Sequence, residues 1–146
     1  MSKLKSLEKI WHIREKELHE AQGHYQRAVD FFETQATELY YLLKKKEDLT
    51  AQLESRLKKR VTITYINTVS ESIQRLDQQE KELQKKVHQA RVNMEQKELQ
   101  LKKAHMEMKK MEKLHESKTK QMKEIQKKQE SNFMDEISIQ QYYRMK

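Results

Sequence analysis

Apolar residues recur at heptad spacing in two runs along this chain, and one short β-branched stretch separates them. In the first run, position a begins at Leu4 and position d at Leu7. The second run restarts with Ile66 at position a and Val69 at position d. Heptads sustained over this length, with charged residues at most other positions, are typical of a coiled-coil seam. The pattern therefore predicts two long helices that pack along one narrow apolar stripe.

The heptad pattern fails at residues 58–65, which read KKRVTITY. The β-branched run disfavours a helix because these side chains lose χ1 freedom there. Thr62 suits the N-cap of a second helix, and Val61 and Ile66 suit the two positions of a hydrophobic staple. The predicted elements are a first helix over about 3–58, a turn over about 59–63, a second helix over about 64–133 and a C-terminal tail over about 134–146.

A short connection between two heptad helices favours an antiparallel hairpin. The alternative is one continuous helix that passes through the break and dimerises as a long rod. We adopt the first interpretation, which makes residues 1–146 a single domain. The predicted fold class is all-α, a long antiparallel two-helix coiled-coil hairpin.

Folding back midway through the break sets which residues face each other. At equal rise in both helices, Leu4 is expected opposite about residue 118. Lys46 and Glu80, two charged residues at seam positions, fall near the same level and are predicted to pair across the helices. Residues after about 120 extend past the start of the first helix and lack a facing partner.

Composition supports long helices and excludes several kinds of site. The 146 residues include one Gly and no Pro, whereas turns commonly use both. No cysteine is present, so neither a disulfide nor a thiolate metal site is possible. The N-terminal residues contain no apolar run typical of a secretory signal, and no stretch approaches the ~20 apolar residues that span a bilayer. We expect a soluble, cytoplasmic protein.

Net charge is +8, and residues 99–130 carry ten Lys against five Glu. Three interpretations of this basic region stay open: a solvated outer face of the coiled coil, a surface for an acidic protein, and a surface for nucleic acid.

Residues suited to catalysis or metal binding do not form the required patterns. None of the six histidines has another histidine three or four positions away, and a single Gly excludes a Gly-rich phosphate loop. Carboxylates on the outside of a two-helix rod stay solvated. The sequence predicts no catalytic residue, no metal site and no cofactor, and hence no enzyme activity.

Two apolar clusters lie outside the seam. Tyr40, Tyr41 and Leu43 occupy positions b, c and e, where they either flank the core or form a partner patch that also includes Leu57. The C-terminal SNFMDEISIQQYYRMK follows no clean heptad and is either a frayed tail or a segment that orders on a partner.

Over most of its length the chain resembles the flagellar export protein FliJ family. The resemblance rests on chain length, the early leucine heptad, the break near the middle and the Lys/Glu-rich second helix. Its most specific part is Met134 to Ile137, which follows the charged stretch from Lys110 to Glu116. The DEISIQQ run looks most like versions from Bacillus-type bacteria.

The resemblance implies an antiparallel coiled coil similar to the γ subunit of rotary ATPases. It implies a non-enzymatic component of the flagellar type III export apparatus, used in flagellum assembly and motility. Such a stalk would insert into the hexameric export ATPase (FliI-type) and promote its assembly and activity. It would also contact the cytoplasmic domain of the export gate protein (FlhA-type) and export chaperones, on the inner face of the cell membrane at the flagellar base.

Position along the hairpin gives candidate residues for the two main partners. Those expected to face the export gate are Tyr41, Leu42, Lys45, Leu49, Ser72, Leu76, Gln79 and Leu83. Those expected to face the ATPase ring are Leu4, Leu7, Trp11, Met122, Ile125, Phe133 and Met134. No nucleic-acid partner is expected. The alternatives to this function are a basic nucleic-acid-binding coiled coil and a purely structural rod or related injectisome stalk.

Overall fold

The computed structural model describes residues 2–145, and this part of the chain forms two α-helices and no strand. Helix α1 runs over Ser2–Leu57 and helix α2 over Ile63–Met145. Residues 58–62 connect them. The predicted all-α class is confirmed, and the alternative of one uninterrupted helix is wrong because the backbone leaves the helical conformation over residues 58–62.

The connection is built by local hydrogen bonds. The Lys59 N–H donates to the Arg56 carbonyl at 2.9 Å, which closes the end of α1. The Tyr65 N–H donates to the Thr62 side-chain hydroxyl at 3.2 Å, and the Ile66 N–H donates to the Thr62 carbonyl at 3.2 Å. Thr62 is therefore the N-cap of α2, as the sequence predicted. The Arg56 guanidinium also lies 4.7 Å from the centre of the Tyr65 ring, which links the end of one helix to the start of the next.

The chain divides into two compact units. The turn unit comprises Ala21–Leu101, and the terminal unit comprises the residues up to Glu20 together with those from Lys102 onwards. Each unit contains a segment of both helices.

In the turn unit, α1 and α2 pack antiparallel. The Arg91 guanidinium lies 5.4 Å from the centre of the Phe32 ring, and Lys46 reaches Glu80 at 2.9 Å. Higher numbers in α1 thus face lower numbers in α2, as a hairpin requires. The core is small and every buried residue lies at a predicted a or d position: Ala28, Val69, Leu76, Val87 and Ala90.

In the terminal unit, the start of α1 packs against the middle of α2, again antiparallel. The Glu8 carboxylate lies 3.2 Å from the His115 ring nitrogen Nε2, and Leu4 lines a groove with Met122. Leu18, at position a, is buried. Past residue 125, all described residues except Ile137 are exposed. We call the segment 126–145 the uncovered end of α2.

Helix α2 extends past the predicted boundary near residue 133 and ends at Met145. Residues 134–145, predicted as a separate tail, continue the same helix. They contain neither Gly nor Pro, so the sequence supplies no residue that stops a helix.

Replacing Gly23 with alanine is expected to raise the free energy of unfolding by about 1 kcal/mol, because alanine loses less backbone entropy in a helix. No described residue has a positive φ. The added Cβ would meet the Arg27 guanidinium at 3.4 Å, an ordinary van der Waals contact. Urea unfolding of the two proteins measures the difference, with exposed Gln22→Ala as a control of small effect. Unchanged or lower stability of Gly23→Ala would contradict the expectation.

Candidate interaction surfaces

A charged network lies within the apolar seam of the turn unit. The Lys46 ammonium is 2.5 Å from an Asp77 carboxylate oxygen and 2.9 Å from Glu80. The hydrogen bond to Asp77, followed by the one to Glu80, raises the pKa of Lys46 to about 12. The predicted Lys46–Glu80 pair is confirmed, and Asp77 is an additional partner. A charged residue in the seam can form its ion pair only when its partner lies at the same height along the neighbouring helix. The network therefore fixes the register of the two helices.

The stabilising effect of Lys46 is expected to disappear at high pH. The pKa of Lys46 is about 12 in the folded chain and 10.5 for a free lysine, so its contribution is complete below pH 10.5 and is lost as pH rises through 12. The difference in unfolding free energy between the native chain and Lys46→Met should therefore shift against the native chain between about pH 9 and about pH 11.5. The adjacent exposed Lys45→Met serves as the control and should give a constant difference. A pH-independent difference for Lys46→Met would refute the role assigned to the network.

The gate candidates differ in how far they reach the surface. Tyr41, Lys45 and Gln79 are exposed, whereas Leu76 is buried in the seam with 8% of its surface accessible. The half-buried members are Leu42, Leu49, Ser72 and Leu83. Leu76 thus belongs to the core that holds the helices together, and a partner at the surface has little of it to contact.

Two adjacent tyrosines form an exposed aromatic pair on α1. The rings of Tyr40 and Tyr41 are 5.5 Å apart in an edge-to-face arrangement, and both side chains are more than half exposed. Large aromatic side chains that stay in solvent are common at the centre of protein interfaces. We call these two residues the tyrosine pair.

The ring candidates fall into a half-buried group and an exposed group. Leu4, Leu7 and Trp11 are half-buried in the seam of the terminal unit. Leu4 and Leu7 line a groove of about 350 Å³ together with Met122 and Ile125. Phe133 and Met134, on the uncovered end, are exposed at 62% and 60%. Further exposed apolar side chains on the uncovered end are Ile139, Tyr142, Tyr143 and Met145.

One contact in the terminal unit has no counterpart among the sequence predictions. The Trp11 and His115 rings lie 4.9 Å apart between centres, and His115 also contacts the Glu8 carboxylate. Both residues lie at position a of their heptads, which places them in the seam, and their rings are tilted by 37° to each other. The Trp11 indole nitrogen is buried and has no hydrogen-bond partner among the described residues.

Between residues 2 and 145 the structure contains no group of three or more His, Asp or Glu side chains able to hold a metal ion. Over the same range, neither helix has a segment apolar enough to cross a membrane.

Comparison with known proteins gives one consistent result. The family model described as Flagellar FliJ protein matches residues 2–146. A curated protein of Bacillus subtilis (strain 168), named Flagellar FliJ protein, is 32% identical over 135 residues, which cover 92% of this chain and 92% of that protein. No solved structure matches the chain. The resemblance predicted from the sequence is confirmed.

Proposed function

The chain belongs to the flagellar FliJ family, and we propose on this basis that it is a non-enzymatic component of the flagellar type III export apparatus. The observation that carries the proposal is the family match over the whole chain, joined to a relative that is 32% identical over 92% of both proteins. The protein then acts by binding larger components of the apparatus at the flagellar base, peripheral to the membrane.

In this proposal the uncovered end of α2 enters the hexameric export ATPase. Single-helix geometry supports the assignment, because one helix with its side chains is only about 10–12 Å across. Phe133 and Met134 support it as well, since both expose large apolar surface there. Burying such side chains in a ring favours binding by about 1.5–3 kcal/mol each. Assembly of the ring around this segment would promote ATPase activity.

The tyrosine pair in the turn unit is the proposed contact for the export gate. Tyr41 remains the strongest of the gate candidates because it is both aromatic and exposed. Lys45 and Gln79 are exposed and can add polar contacts at the edge of such an interface. Export chaperones are proposed as further partners of the same apparatus.

ATPase stimulation by the purified chain tests the proposed function. The export ATPase of the same organism is titrated with the full chain, and phosphate release is followed at a fixed ATP concentration. The expected result is saturable stimulation together with a larger fraction of ATPase hexamers in size-exclusion chromatography. If activity and assembly stay at the level of the ATPase alone over the whole titration, the ATPase role is rejected.

A further inference from the structure

The outer face of α2 in the terminal unit carries a second heptad-spaced row, and its residues are charged. Six positions between Lys109 and Lys127 recur at alternating steps of four and three. On a helix of 3.6 residues per turn, this spacing keeps them within a sector of about 80°. All six side chains are exposed, while Met108, Met111 and His115 on another face are half-buried in the seam. The row, called the basic row below, consists of Lys109, Lys113, Glu116, Lys120, Lys123 and Lys127.

Most of the positive charge in the basic row is unneutralised. Lys109 lies 3.3 Å from Glu112, and this pair near the surface contributes little to stability. Among residues 2–145, the ammonium groups of the other four lysines have no ion-pair partner: Lys113, Lys120, Lys123 and Lys127.

Several of these lysines are also direct neighbours on the helix surface. Lys120 and Lys123 are three positions apart, and Lys123 and Lys127 are four apart. Like charges at these spacings repel each other and destabilise a helix. Glu116 lies three positions after Lys113 and four before Lys120, so attraction within the helix offsets part of this repulsion. A negatively charged surface laid along the row would relieve the repulsion that remains.

The chemistry of the row distinguishes between three negatively charged partners: a membrane, a nucleic acid and an acidic protein. It contains no apolar residue, whereas a helix that lies on a bilayer inserts an apolar face. It contains no aromatic residue on which a base could stack. Glu116 lies within the row, and Glu124 follows Lys123 directly. These carboxylates oppose a uniformly negative surface such as a phosphate backbone, but suit a partner that alternates in charge.

We propose that the basic row is a docking surface for an acidic helix of a partner protein. The carboxylates of that helix repeat at heptad spacing, and a basic residue lies level with Glu116. Two helices with the same repeat keep their charged residues opposite each other along the whole contact. Charged residues that flank a coiled-coil seam pair between helices in the same way. The row faces away from the seam, and all of it except Lys127 lies before the uncovered end of α2. None of its residues is among those proposed to contact the ATPase or the gate.

A synthetic helical peptide tests the proposal with the full-length chain. The first peptide places glutamates at alternating steps of four and three and one lysine at the level of Glu116. The second has the same composition in scrambled order. Fluorescence anisotropy at about 50 mM salt, where screening is weak, gives both affinities. The expected result is binding of the ordered peptide about tenfold tighter than the scrambled peptide.

Two triple variants with the same change in charge locate the binding surface. Lys113→Gln, Lys120→Gln and Lys127→Gln together should weaken binding of the ordered peptide about tenfold, as expected from three exposed ion pairs. The matched control replaces Lys103, Lys110 and Lys128, which are equally exposed on a different sector of α2. The control variant should weaken binding by less than about threefold. Circular dichroism verifies that both variants keep their helix content.

Several results would overturn the proposal. An equal loss of affinity in the two triple variants, or equal affinity for the two peptides, would show that the row attracts negative charge without a specific arrangement. Absence of measurable binding would reject it as a surface for acidic helices.

Parallel titrations use vesicles of one-third phosphatidylglycerol and a mixed-sequence DNA duplex. Tighter binding to either one, lost selectively in the basic-row variant, would assign the surface to membranes or to nucleic acid instead.

Discussion

Replacing Leu76 with alanine is expected to lower the free energy of unfolding by about 2–3 kcal/mol. Leu76 is one of the few buried side chains in the turn unit, with 8% of its surface accessible. Truncation removes its contacts across the two-helix seam and leaves a cavity that the open edges of the seam close only in part. The expected loss of stability lies near the lower end of the range for buried leucines, because every residue of a two-helix seam is close to solvent. Urea unfolding followed by circular dichroism measures it.

Tyr41→Ala is the control for Leu76→Ala. Both residues are gate candidates, yet Tyr41 is 63% exposed, and its truncation should change the stability by no more than about 0.5 kcal/mol. Affinity for the gate domain should fall in Tyr41→Ala at native stability. Loss of stability in Tyr41→Ala equal to that in Leu76→Ala would contradict the separation of core and surface residues drawn here.

The double variant Phe133→Ala and Met134→Ala is expected to weaken binding to the export ATPase at least about tenfold. Each side chain is about 60% exposed on the uncovered end of α2, so truncation leaves the seam intact. If both become buried in the ring, losing them removes more than the 1.4 kcal/mol that corresponds to a tenfold change in affinity. Titration of ATPase stimulation with native and variant chains measures the shift in the half-maximal concentration.

A matched control uses two exposed apolar residues of the terminal unit outside the ring candidates. Ile10 and Ile13, on α1, are 41% and 54% exposed. Their double alanine variant also removes exposed apolar surface and should stimulate the ATPase as the native chain does. Equal loss in both double variants, or none in either, would show that the uncovered end is not the ATPase contact.

Much of the fold follows from two local features of the sequence. The β-branched run after a basic segment predicts where the chain turns, and Thr62 caps α2 by accepting the Tyr65 N–H. The heptad phase predicts the seam, and equal rise on both sides of the turn brings Lys46 level with Glu80. Both features depend on near neighbours in sequence or on a simple repeat, which is why they can be predicted from residue order.

Three features of the structure are harder to predict from the sequence: the end of α2, the burial of Leu76 and the contact of His115. The heptad pattern predicts an end of α2 near residue 133, whereas the helix ends at Met145. Loss of the heptad pattern shows that residues have no facing helix to pack on, but it does not show where a helix ends. The level of Leu76 along the hairpin places it among the gate candidates, whereas its d position indicates the core, where it is buried. The contact of His115 with Trp11 and Glu8 requires side-chain rotamers that the heptad repeat does not specify.

Spin-label distances between positions 9 and 113 test most directly the claim that the chain folds back on itself. Lys9 and Lys113 are exposed residues of the terminal unit, and the chain has no native cysteine to interfere with labelling. Antiparallel packing within one molecule predicts a distance below about 30 Å, since paired helix axes lie about 10 Å apart and the labels add the rest. Dilution with excess unlabelled chain should leave that distance unchanged. A short distance that vanishes on dilution would mean that α1 packs on α2 of another molecule. Distances only far above 30 Å would mean that α1 does not pack on α2 at all, and either result would rule out the hairpin.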